Sequence, residues 1–258
     1  DGVNHIYFNG DAAMPVNVGA VSGGKLGDIY AKRLMRRDAA GNAIIGSNGL
    51  PMVDNGNGNR EQYLLDNPIG NIQPDLLMSV TPTFKWKNLS LSAMLDMKFG
   101  GDIVSVSEGI ATKYGTSERT LDRGEFKTIN GVQDYWMVVP GVKEDGSVND
   151  IPVSAQSYYQ AIGIFKNESG YAEEFVHDAS YIKLKELSVG YTFPSRWLKR
   201  TPLTQLRLSF VARNLCYLMK HCPGNPEGGY DTSMFSQALD FLAVPYTRTF
   251  GFTVNVEF

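Results

Sequence analysis

Residues 249–258 read TFGFTVNVEF, and their alternation decides the fold. Every second residue from Phe250 is apolar: Phe250, Phe252, Val254, Val256 and Phe258. Between them stand Gly251, Thr253, Asn255 and Glu257. Successive side chains of a β-strand point to opposite faces, so this stretch predicts a strand with one apolar and one polar side. The pattern recurs upstream. Over 76–86, Leu76, Met78, Val80, Pro82, Phe84 and Trp86 share a face. Over 89–99, Leu89, Leu91, Ala93, Leu95, Met97 and Phe99 do the same, and Lys87-Asn88 between the two runs predicts a hairpin. Leu187, Val189, Tyr191 and Phe193 form the apolar row of 180–193, and Leu206, Leu208, Phe210 and Ala212 that of 204–214.

The connections between these strands are lopsided. Lys87-Asn88 is minimal, and Pro194–Pro202 predicts a compact turn with a helical turn inside it. Gly100–Ala179 and Cys216–Pro245 are long and rich in Gly, Asp, Asn and Ser. Long structureless loops are uncommon in compact soluble domains. Short turns on one side and long loops on the other are the rule in outer-membrane barrels. Alternating strand direction puts Trp86, Phe193 and Trp197 at one rim, and Phe99, Tyr181, Tyr217 and Tyr246 at the other, as two aromatic girdles would be. A soluble, secreted β-sandwich that binds carbohydrate has the same alternation and stands as the alternative.

Bulk properties bound the choice. The net charge of −3 offers no basic surface for nucleic acid. The 27 glycines and 13 tyrosines favour a β-rich chain. No run of about 18 apolar residues predicts a membrane helix, which leaves a strand-built membrane protein open. Asp1 opens no signal peptide, so the chain is expected to begin inside a longer one. Cys216 and Cys222 flank His221, while His5 and His177 are distant. A zinc site is therefore not expected, and a loop disulfide or two free thiols are both compatible. In the first seventy residues, 27–38 predicts a strand with a basic, exposed end. Residues 43–53 predict a small hairpin around Ser47-Asn48-Gly49, and 53–59 a loop.

Several stretches carry a resemblance. IGNIQPDLLMSVTPTFKWKNLSLSAMLDMKFGGDI (69–103) resembles the hairpin of SusC/RagA-type TonB-dependent outer-membrane transporters, as does GDIYAKRLMRRDAAGNAIIGSNGLPM (27–52). VVPGVKEDGSVN (138–149) with SYYQ (157–160) resembles an outer loop of that family. Residues 178–215 are similar to its penultimate hairpin, and 245–258 to its closing strand. The resemblance implies an all-β fold in which residues 1–258 supply antiparallel strands, with long extracellular loops, to the C-terminal part of a transmembrane barrel. Such a barrel has about 22 strands and a plugged lumen. The plug and earlier strands would lie N-terminal, and this chain alone would neither close the barrel nor transport. The resemblance also implies a Gram-negative outer membrane and its lipid, a SusD-like surface lipoprotein as a lid, TonB as energy coupler, and a glycan or peptide nutrient as cargo. It makes Phe258 the terminal aromatic read during barrel assembly.

Catalysis is not expected, and neither is a cofactor or metal. Glu173 and Glu174 point apart if extended, which suits a solvated loop better than a carboxylate pair. Gly-x-Ser-x-Gly is absent, and SGGKLGD lacks phosphate-loop spacing. Neither Asp54–Asn59 nor Asp145–Asp150 keeps the pattern of a calcium loop. Binding is more plausible, because Gly100–Ala179 holds Tyr114, Tyr135, Trp136, Tyr158 and Tyr159. With Val138, Val139, Ile162, Ile164 and Phe165 they predict a folded cap. Of these, Tyr135, Trp136, Tyr158 and Tyr159 are the expected contacts to substrate or lid.

Overall fold

A computed structural model describes residues 5–7, 15–54, 67–164, 170–227, 239–244 and 246–258. Phe165 and most of the predicted loop 53–59 lie outside these residues. The chain divides into two compact units. One is a single antiparallel sheet from residues 74–101, 178–222 and 244–258. The other is assembled from 1–73, 102–177 and 223–243.

The sheet unit runs in the order Thr249–Glu257, Gln205–Lys220, Tyr181–Thr192, Leu89–Phe99, and then Leu76–Val80 with Thr83–Trp86 on the same edge. The predicted strand 76–86 is thus interrupted at Thr81-Pro82. Proline cannot donate to the ladder, and only the Pro82 carbonyl bonds there, accepting from Ala93 N at 3.2 Å. The register against Leu89–Phe99 is unchanged across the gap, with Val80 opposite Leu95 and Thr83 opposite Ser92. At the hairpin Lys87 has φ 51. The Asn88 side chain donates to the Thr192 carbonyl at 2.6 Å, which ties the turn to the next strand.

Register aligns the apolar residues across strands. Trp86 faces Leu89, which faces Tyr191, then Leu208, then Val254. The next layer is Phe84, Leu91, Val189, Phe210 and Phe252. The other face carries Ser90, Gly190, Ser209 and Thr253. Gly190 is required there, since a Cβ would lie 2.7 Å from Ser90 Oγ and 2.9 Å from Arg207 Nη2. Arg207 fills that space and donates to Ser90 Oγ at 2.9 Å. A bulge at Lys185 shifts the phase: Glu186 faces Met94, but Leu184 faces Leu95. Beyond it the apolar partners are Leu184 and Ile182, opposite Leu95 and Met97.

The two ends of the sheet differ. At one, the links are Lys87-Asn88 and residues 193–204, which hold a helical turn at Ser195–Leu198. Tyr191, Phe193 and Trp197 cluster there, with successive ring centroids 5.3 and 6.0 Å apart. At the other end the chain makes every one of its departures into the second unit. There Tyr181 packs on Tyr217 at 5.8 Å, and the Lys183 ammonium lies over the rings of Tyr217 and Tyr246 at 5.1 and 4.7 Å. Cys216 and Cys222 are not bonded to each other.

The second unit has a true core. Val16 and Val18, Ile29 and Ala31 from neighbouring strands bury against Val104, Val106, Phe175 and Leu239. Residues 102–177, expected to be a long loop, are largely regular. They include the helices α1 (Val106–Lys113) and α2 (Ala155–Ile162) and a three-stranded sheet of Glu125–Ile129, Val132–Val138 and Pro152–Ser154. The folded cap inferred from their apolar residues is what the structure contains. The hairpin near Gly49 also forms, with Ile45 bridged to Pro51. Its loop is longer than a two-residue primed turn, because Gly46 N bonds the Leu50 carbonyl, and of its residues only Gly49, at φ 75, is positive. A primed turn occurs instead at Asn130-Gly131, where φ is 51 and 80.

Candidate functional site

Local sequence sets up a cavity inside the second unit. The Ser105 side chain accepts from Glu108 N and caps α1, and the Ser154 side chain accepts from Ser157 N and caps α2. Helices α1 and α2 approach closely because Gly163 has no side chain where Lys113 passes. Their meeting, with the 3-10 turn Glu118–Leu121 and the hairpin strand Val132–Val138, leaves a cavity of about 460 Å³. Its wall holds Tyr114, Tyr135 and Tyr159, the cations Lys113 and Arg123, and the polar side chains of Asp134, Gln156 and Gln160.

The four aromatic residues singled out in the sequence are divided by the fold. Tyr135 and Tyr159 line this cavity. Tyr135 is 42% exposed, with its ring 5.0 Å from that of Phe126 across the hairpin. Tyr159 is buried, and its hydroxyl donates to the carbonyls of Arg119 (2.8 Å) and Asp122, so its ring serves as wall and its polar tip as a structural tie. Tyr158 lies 5.2 Å from Tyr159 but turns to a second cavity of about 350 Å³ with Arg37, Asn42, Pro140 and Glu174. Trp136, on the opposite side of its strand from Tyr135, lines neither cavity. It is half-buried, with its indole Nε1 enclosed and unpartnered among the described residues. Burial raises the phenol pKa of Tyr158 and of Tyr159, so both keep their protons at neutral pH.

Glu173 and Glu174 need correction. They do not lie in an extended, solvated loop but in a 3-10 turn, Ala172–Phe175, and both carboxylates are engaged. Glu173 accepts from Met35 N at 2.9 Å and pairs with Arg37 at 3.3 Å. Glu174 pairs with Arg119 at 3.8 Å. Arg119 also reaches Glu108 at 3.4 Å and covers the ring of Phe175, and Glu108 holds His177 at 2.7 Å. This network joins α1 to two 3-10 turns. Sequence reasoning missed Lys113, Arg123, Gln156 and Gln160, since single polar residues scattered over some fifty positions carry no periodic signal. Only the i, i+4 spacing of Gln156 and Gln160 hinted at a shared helix face.

No protein-family model matches the chain. Over 195 residues, 74% of this chain, it is 26% identical to TonB-dependent receptor P3 of Formosa agariphila, and it spans 17% of that relative's length. Among solved structures it aligns with a chain of the RagAB peptide importer in the closed-closed state with a TM-score of 0.54. That alignment covers 99% of this chain and 25% of the other at 14% identity. The open-open state of the same importer gives 0.51, covering 94% and 26%, also at 14% identity.

Proposed function

We propose, for a chain with the fold of a TonB-dependent transporter barrel and sequence similarity to a TonB-dependent receptor, that residues 1–258 form C-terminal strands of an active importer in a Gram-negative outer membrane. One observation carries this: the apolar face of the sheet is covered by nothing described. Phe252 is 73% exposed, Val254 58% and Phe84 60%. Each of the three core clusters is built from residues of the other unit. A β-sandwich would have to cover that face with a second sheet. Lipid needs no such cover, and aromatic rims at both ends suit its interfaces. The eleven residues Leu89–Phe99 rise by about 34 Å. At a tilt of about 40° this spans about 26 Å, close to the roughly 25 Å apolar band of such barrels.

The sheet's two edges extend the argument. All nine residues Thr249–Glu257 are exposed, and so are Leu76–Val80 and Thr83–Trp86. Open edges do not persist in hydrocarbon, so further strands and a plug, outside residues 1–258, complete the barrel. The second unit, reached from one end of the sheet alone, works on the watery outer side. There Tyr135, Trp136, Tyr158 and Tyr159 contact cargo, a glycan or peptide, or a SusD-like lipoprotein lid. TonB drives the import through the N-terminal part. The role is carriage, not catalysis. The test is Trp136→Ala and Tyr158→Ala in the full-length transporter, with uptake and lid co-purification measured. Loss of either supports the assignment; wild-type values with the unit still folded end it.

A further inference from the structure

We infer that the cavity between α1, the Asn130-Gly131 hairpin and α2 takes a saccharide that bears an anionic group, a ligand that rests on the import reading for its biological setting. Two cations, Lys113 and Arg123, face one carboxylate, Asp134, in the wall. Arg123 is held in place because its Nε donates to the Thr120 carbonyl at 3.1 Å. Asp134 is partly engaged, since its Oδ1 accepts from Tyr135 N at 2.7 Å. The balance of free charge in the wall is positive, and a guanidinium favours carboxylate and sulfate oxygens. Beside the cations stand two open rings, Tyr114 at 65% exposure and Tyr135 backed by Phe126. Such faces accept the C–H side of a pyranose. Gln156 and Gln160, one turn apart on α2, add amide donors and acceptors of the kind that sugar hydroxyls need. A volume of about 460 Å³ accommodates a short oligosaccharide. Open rings interleaved with amides suit a polyol ring better than a peptide side chain.

The experiment is calorimetric titration of the purified full-length transporter in detergent with trigalacturonate, a galactose-6-sulfate disaccharide, neutral galactotriose and triglutamate. An acidic sugar should bind at least about tenfold more tightly than galactotriose, the gain of one charge-assisted contact. The tighter of the two acidic sugars identifies carboxylate or sulfate as the group. Arg123→Gln should weaken that binding about tenfold, Lys113→Gln should weaken it too, and both should leave galactotriose unchanged. Equal affinity for neutral and acidic sugars, tighter binding of triglutamate, no binding of any probe, or an unaffected Arg123→Gln variant overturns the inference. Binding is read without uptake, so these failures leave the transporter reading standing. A full-length protein that stays dispersed without detergent would strike that reading instead.

Discussion

At Gly109, on α1, an added Cβ would fall 2.1 Å from Ile164 Cγ1, and Ile164 is fully buried. Gly109→Ala should therefore lower stability by about 1–3 kcal/mol, seen as an earlier denaturation midpoint of the second unit. Tyr171 supplies a pH prediction. Burial pushes its phenol up to about 12, and its hydroxyl donates to the Pro51 carbonyl at 2.6 Å. The protonated form is favoured in the fold, so this stabilisation is complete below about pH 10, the unfolded value. It is lost as pH rises through about 12. Tyr171→Phe should flatten that alkaline decline, and it should cost about 1–3 kcal/mol at neutral pH by leaving the carbonyl unpaired. On the sheet, face matters more than exposure. Leu208→Arg puts a cation on the apolar row and should cost about 2–4 kcal/mol in folding into lipid, whereas Thr253→Arg, on the polar row of the adjacent strand, should cost about 1 kcal/mol or less. Equal costs would remove the lipid assignment of the face.

Single elements show how a register is kept. In Tyr181–Thr192 the apolar positions change phase, from Ile182 and Leu184 to Leu187, Val189 and Tyr191. The extra residue Lys185 lets both sets meet apolar partners on Leu89–Phe99, and its ammonium reaches Asp96 at 2.9 Å. Side chains alternate with period two, so deleting Lys185 should turn Ile182 and Leu184 to the polar face. The deletion variant should fail to fold into detergent micelles or vesicles by circular dichroism and protease protection. A protected, folded variant would show that the bulge is dispensable. The phase change was visible in the residues, but alternation read from Leu187 onward passed over it. Pro82 was legible as an apolar position and not as an interruption, because its missing N–H matters only once a partner strand is present.

For the whole molecule, the open edges predict that residues 1–258 produced alone will not form a lipid-inserted barrel. Gel mobility should not change between unheated and boiled samples in vesicles, whereas the full-length transporter should show that shift. The sequence by itself determined the strands, their apolar and polar rows, the short-turn end, and the aromatic sorting of Trp86, Phe193 and Trp197 against Phe99, Tyr181 and Tyr217. These are local, period-two properties, and any chain with that alternation carries them wherever it folds. It also carried the resemblance to SusC/RagA-type receptors. Tertiary structure alone decided what 102–177 becomes. Helices of eight residues each are too short to hold themselves together, so α1 and α2 exist through their packing on Ile164, Tyr171 and Phe175. The same packing parted Tyr158 from Tyr159 and brought Lys113 and Arg123 to the ring of Tyr135, because contacts between residues distant in the chain are set by how the core closes and leave no mark on local pattern.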